Sequence, residues 1–186
     1  MTMPQFATDW TVDRLNAMPE DGQRYEIIDG ELYVSPAPSW RHQHAVTQLA
    51  IRLAEYLRPS RLGLVLIAPA DVTFSRATNV QPDVLVVPVV DGHLPANWVE
   101  AGRLLLAVEV RSPSTARTDQ GVKRRLYQRE QVPEYWIVDA EAQVIERWRP
   151  GEARPEILSE RIEWQPEAAS APLVIELPEF FAGLTG

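Results

Sequence analysis

No cysteine occurs anywhere in the 186 residues. That removes disulfide frameworks, zinc–cysteine sites, iron–sulfur clusters and cysteine nucleophiles together. Lysine is almost as scarce: of the 18 basic residues, Lys123 is the only lysine, so any step that needs one has a single candidate. Long apolar runs are missing too. The longest, Leu62 to Ala70, is interrupted by Gly63 and Pro69, far short of the roughly 20 residues of a membrane span. The opening MTMPQFATDW lacks a basic segment followed by an apolar one, so no signal peptide and a soluble cytoplasmic protein are expected. There is no G-x-S-x-G elbow, phosphate loop or dinucleotide fingerprint. Positive charge is outnumbered, 18 against 26 acids for a net −8, which argues against non-specific coating of nucleic acid but leaves room for a local basic patch.

What is present is the composition of a globular chain, 45% hydrophobic and 24% charged. Its length predicts one domain over 1–186, large enough to bury about 70% of its unfolded surface without a covalent staple. Residues 8–17 read as a short amphipathic helix. Tyr25–Ile28 and Leu32–Val34 read as a hairpin about Asp29-Gly30. Ser39 is placed to cap a helix from Trp40 to Arg58, with Ala45, Leu49, Leu53 and Leu57 recurring every fourth residue. The run from Leu62 to Phe74 reads as one strand with a bulge or edge at Pro69. Buried strands follow at VLVVPVV after Pro82-Asp83, at Arg103–Val110 and at EYWIVD, with a helix from about Thr118 to Glu130 between the last two. An alternating QVIERWR strand comes next, then short edge strands and a terminal turn at Phe180-Phe181. The fold class is therefore α/β or α+β: a central mixed sheet flanked by helices, with an N-terminal hairpin and C-terminal edge strands. Tyr127 and Trp136 are expected in the core, and Trp164, Leu173 and Ile175 either finish it or supply an interface.

Two acids sit where a strand is otherwise apolar. Glu109 lies in LLLAVEVRS and Asp83 opens VLVVPVV. Each alone reads first as a helix cap or an arginine partner rather than a ligand, because an unpaired buried carboxylate costs several kcal/mol. Two on neighbouring strands tip the reading towards a divalent cation, since carboxylates about 4 Å apart repel unless one lies between them. The Val110 carbonyl is a natural further oxygen ligand. An oxygen-only set favours Mg²⁺ or Mn²⁺ over zinc, an ion that polarises a phosphodiester and acidifies bound water. Glu109 and Arg111 share a strand face, so a cation stands beside the pair.

The phrases Q-P-D-V and A-V-E-V-R-S, in that order, resemble the PD-(D/E)XK nuclease superfamily. R-Y-E-I-I-D-G-E-L, S-P-A-P-S-W-R-H, E-V-R-S-P-S-T-A-R-T-D-Q-G-V-K and V-P-E-Y-W-I-V-D narrow this to the Uma-type putative restriction endonuclease family, over roughly residues 20–150. The resemblance implies a restriction-endonuclease-like fold, DNA as substrate and Mg²⁺ or Mn²⁺ as cofactor. It implies Asp83 and Glu109 as metal ligands, and Glu26 as an additional acid from an upstream element; a solvated hairpin carboxylate is the other reading of Glu26. The superfamily's strand lysine is here Arg111, which stays protonated and cannot act as a base. Lys123, on the following helix, is the candidate for a migrated lysine, with Arg111 assisting. Asp119 is i−4 from Lys123, so a simple surface pair is the alternative. His44 belongs to the same phrases and reads either as a group orienting Glu26 or a water, or as a partly buried polar residue.

Arg117, Arg124 and Arg125 form a candidate phosphate-binding stretch or a solvated helix face. The favoured reading is a metal-dependent endodeoxyribonuclease, homodimeric because two strands suit two-fold symmetry. The rivals are a catalytically degenerate module of the same fold that binds nucleic acid or protein, and a structural homodimer without nucleic acid.

Overall fold

The computed structural model describes residues 9–19, 21–112, 118–166, 169 and 171–184. Its centre is a six-stranded sheet in the order β10-β9-β8-β7-β6-β3. These strands are β3 (Gly63–Ile67), β6 (Val84–Pro88), β7 (Leu106–Val110), β8 (Tyr135–Asp139), β9 (Val144–Trp148) and β10 (Glu156–Leu158). Within it only β7 and β8 run parallel. A parallel pair needs a crossover, and the chain between these two carries the helical segment that begins as a π-helical turn at Thr118–Lys123 and continues as α4 (Arg124–Arg129). A second, antiparallel sheet holds β1 (Arg24–Ile28), β2 (Glu31–Ser35), β4 (Val72–Ser75) and β5 (Thr78–Val80) in the order β2-β1-β5-β4. The hairpin turns at Asp29-Gly30, whose φ values of 52° and 81° are those a tight two-residue turn requires.

The central strands are mostly apolar because both faces are covered. On β6, Val84 and Val86 join one core while Leu85 and Val87 join the other. The first core lies under α2 (Trp40–Leu57), whose inward stripe is Ala45, Val46, Leu49, Leu53 and Leu57, with the Ser39 hydroxyl capping the His42 amide at 3.2 Å. Burying each leucine of that stripe contributes about 1.5–3 kcal/mol. The chain closes this core with β11 (Arg161–Trp164), β12 (Leu173–Glu176) and α5 (Leu177–Ala182). Trp164 and Ile175 therefore finish the core, and the terminal turn expected at Phe180-Phe181 is a short helix. The second core lies between the central sheet and the hairpin sheet, with Leu126 and Tyr127 of α4 and Ala101 of α3 (Trp98–Ala101) packed into it.

Three expectations need correction. The run from Leu62 to Phe74 is not one strand: it breaks at Ala68-Pro69 and supplies β3 to the central sheet and β4 to the other. Proline cannot donate to a ladder, so the break falls where the chain changes sheets. The helix expected from Thr118 opens in π rather than α geometry. The N-terminal helix is shorter than expected, Val12–Asn16, held by the Thr11 cap.

Candidate active site

Five segments distant in sequence converge at the ends of β6 and β7. Antiparallel pairing sets Val84 against Val108, and one step further along that register brings Asp83 opposite Glu109. The ladder stops there, and the Asp83 carboxylate replaces a strand carbonyl by accepting the Val110 N–H at 2.8 Å. Asp83 also accepts Arg24 Nη1 at 2.7 Å and His42 Nε2 at 3.0 Å. Glu109 accepts Lys123 Nζ at 2.8 Å and the Tyr127 hydroxyl at 3.4 Å. Glu26 takes the same ammonium at 2.9 Å and the Gln81 N–H at 2.7 Å. The π turn brings Lys123 inward, and Asp119, four residues earlier, is buried with it.

Glu26, Asp83, Glu109 and Asp119 are each no more than 2% exposed, and among the described residues Arg24 and Lys123 are the permanent cations that pair with the first three. Burial pushes the Glu109 carboxyl well above the ordinary glutamate range. Lys123 opposes that shift, and Asp83, Asp119 and Glu26 reinforce it. Burial would raise Asp83 too, but the hydrogen bond and charge of His42, then Arg24, outweigh it and hold Asp83 at about 2. Burial works against the Lys123 ammonium, yet Glu109, Glu26 and Asp119 more than offset it and hold the proton on.

A divalent cation fits this donor set. Its side-chain oxygens are all carboxylate, the Val110 carbonyl lies at the same strand end, and a 2+ ion offsets the repulsion between Asp83 and Glu109. Among the described residues no three histidine or acidic side chains already surround one point.

The chain matches the Uma2 family, described as "Putative restriction endonuclease", over residues 12–185. It is a member of that family. A crystal structure titled as a putative nuclease belonging to DUF820 from Anabaena variabilis ATCC 29413 superposes with a TM-score of 0.77. The identity is 18%, covering 94% of this chain and 99% of that one. At that identity the likeness speaks for the fold, which is the mixed α/β, restriction-endonuclease-like architecture. No curated protein matches the chain.

In this Uma2-family protein the structure brings together Glu26, Asp83, Glu109, Asp119 and Lys123, and it excludes a surface position for the Asp119–Lys123 pair. Arg111 reaches one strand over. Its guanidinium pairs with Asp139, which ends the parallel neighbour β8, not with Glu109. Arg124 folds back on its own segment, donating to the Gln120 carbonyl at 3.2 Å and lying over the Trp148 ring. Arg125 is exposed, and Arg117 lies outside the described residues. His44 is corrected outright: it is exposed on the far side of α2 beside Trp40 and Leu184, and His42 is the histidine at the site. Helical rotation of 100° per residue explains the exchange. His42 lies on the flank continued by Ala45, Val46 and Leu49, and His44 does not. Arg24 was missed, although strand alternation places it on the face of Glu26.

Proposed function

We propose that this protein hydrolyses DNA phosphodiester bonds with Mg²⁺ or Mn²⁺ held by Asp83 and Glu109 and the Val110 carbonyl. The observation that carries this reading is the pair of buried carboxylates, Asp83 and Glu109, opposite one another at the ends of β6 and β7, in a chain of a restriction-endonuclease family. When bound, the metal supplies Lewis acidity towards the phosphodiester and a water acidified to neutral pH. The chain's own residues do the rest. His42 and the Val110 N–H fix the Asp83 carboxylate, as groups behind a metal ligand orient it. Lys123, protonated and already desolvated, offsets charge developing on the phosphate and positions the attacking water. Glu26 has both oxygens engaged and sets the ammonium in place. Arg24, beside Asp83, neutralises a substrate phosphate.

A second reading is favoured by one feature. Asp83 already accepts three donors, the arrangement of a structural carboxylate. On that reading the site is degenerate and the protein binds nucleic acid without cutting it.

The test is cleavage of assorted DNAs with Mg²⁺ or Mn²⁺ by the protein and by Asp83→Ala and Glu109→Ala. Loss of cleavage in both variants supports the nuclease assignment. Cleavage that survives in the purified variants overturns it, and a wild-type protein that binds DNA without cutting establishes the second reading.

A further inference from the structure

A cavity of about 550 Å³ opens directly beside Asp83, inside the roughly 300–1,000 Å³ range of small-ligand sites. Its floor is Arg24, Asp83 and His42, the same groups that meet at the candidate active site. Its walls are apolar and stiff: Pro36 and Pro38 of the loop between β2 and α2, and Pro69 of the connection between β3 and β4. Proline walls lose almost no conformational freedom when a ligand settles on them. Gln43 presents an amide at the rim, a group able to donate and accept at once. Across Ser39, His42 and Ser112 the cavity runs on into a second hollow, which contains Arg41 and Arg111 at the ends of β7 and β8.

We propose that this proline-walled cavity holds one unpaired nucleotide next to the scissile phosphate, so that the substrate is DNA carrying an extruded or unpaired base. The inference rests on the nuclease reading above and deepens it. Both faces of a base within an intact duplex are stacked and its pairing edge is taken, so only a base outside the stack enters such a hollow. Flat apolar walls suit its faces, and the Gln43 amide suits its edge. Arg24 on the floor places the attached phosphate beside Asp83, and the second hollow carries the strand onward past Arg41 and Arg111. A small apolar ligand fits less well, because the floor is an ion pair.

The test is fluorescence anisotropy in Ca²⁺ with three probes: a short duplex with a one-nucleotide bulge, the same duplex fully paired, and the bulged duplex with an abasic site at the bulge. The bulged duplex is expected to bind about tenfold tighter than the other two, the scale of one stacked base. Ala37→Trp, on the exposed loop lining the cavity, fills it and is expected to erase that preference while leaving affinity for the paired duplex unchanged. Where that variant does not fold, Gln23→Trp, an exposed residue lining the same cavity, is read in its place. Equal binding of the three probes, or a preference that survives the filled cavity, overturns the proposal. The two readings fail separately. Cleavage of paired duplex without preference removes the pocket and keeps the nuclease; bulge-selective binding with no cleavage in Mg²⁺ or Mn²⁺ removes the nuclease and keeps the pocket.

Discussion

The Lys123 ammonium lies 2.8 Å from the Glu109 carboxylate, and both side chains are 98% or more buried. A buried pair of this kind is held by its surroundings: its mutual attraction roughly balances the cost of removing two charges from water. Here the pair is embedded in further carboxylates, so its removal is unequal from the two ends.

Lys123→Ala leaves Glu109, Glu26 and Asp119 buried without their ammonium. We expect a loss of about 3–5 kcal/mol in urea unfolding. Arg111→Ala breaks a pair whose arginine is 38% exposed and is expected to cost under about 1 kcal/mol. Equal losses would show that Lys123 is not the compensating charge of the site.

Metal is expected to stabilise the folded chain. Mn²⁺ at about 100 times its dissociation constant raises stability by about 2.7 kcal/mol, seen as an upward thermal shift. Asp83→Ala and Glu109→Gln are expected to remove the shift. A shift that persists in both variants places the ion elsewhere.

The two acids predict opposite pH dependences. Asp83 is held below the ordinary aspartate value of 3.8, at about 2, so it contributes stability above about pH 4 that disappears as pH falls towards 2. Glu109 is held above its ordinary value of 4.5. In metal-free buffer the unfolded chain ionises this group first, so stability declines as pH rises from about 4.5. Glu109→Gln is expected to flatten that decline and Asp83→Asn to flatten the acid limb, each followed by urea unfolding from pH 3 to 8. A decline unchanged in Glu109→Gln would refute the assignment.

His42→Ala is expected to lower metal affinity or cleavage by about 10–100-fold, the usual cost of losing a group that orients a ligand, whereas His44→Ala is expected to change neither. Titration calorimetry with Mn²⁺ separates the two, and equal effects would remove the distinction between them.

Much of this site was legible in the chain before folding. An acid at the head of one apolar strand and another near the end of the next pointed to a shared pocket, because two buried acids on neighbouring strands repel unless a cation joins them. The sole lysine in a family phrase pointed to Lys123. What was not legible depended on geometry that local pattern does not carry. Arg111 shares a strand face with Glu109 by alternation, yet β7 ends at Val110, and beyond that end the side chain turns to Asp139. The break at Pro69 was visible as a proline, but not the exchange of sheets that follows it. The choice between His42 and His44 was available from the stripe of α2 itself, had the periodicity been extended back to its first turn.

The crossover from β7 to β8 carries the lysine, and that has a temporal consequence. During synthesis the hairpin, α2, β6 and β7 all leave the ribosome before residue 123 does, so the carboxylates exist for a time without the ammonium that lets them pack together. A chain truncated short of that helix holds every proposed metal ligand and still lacks a finished centre. The centre is therefore complete only once the crossover has docked.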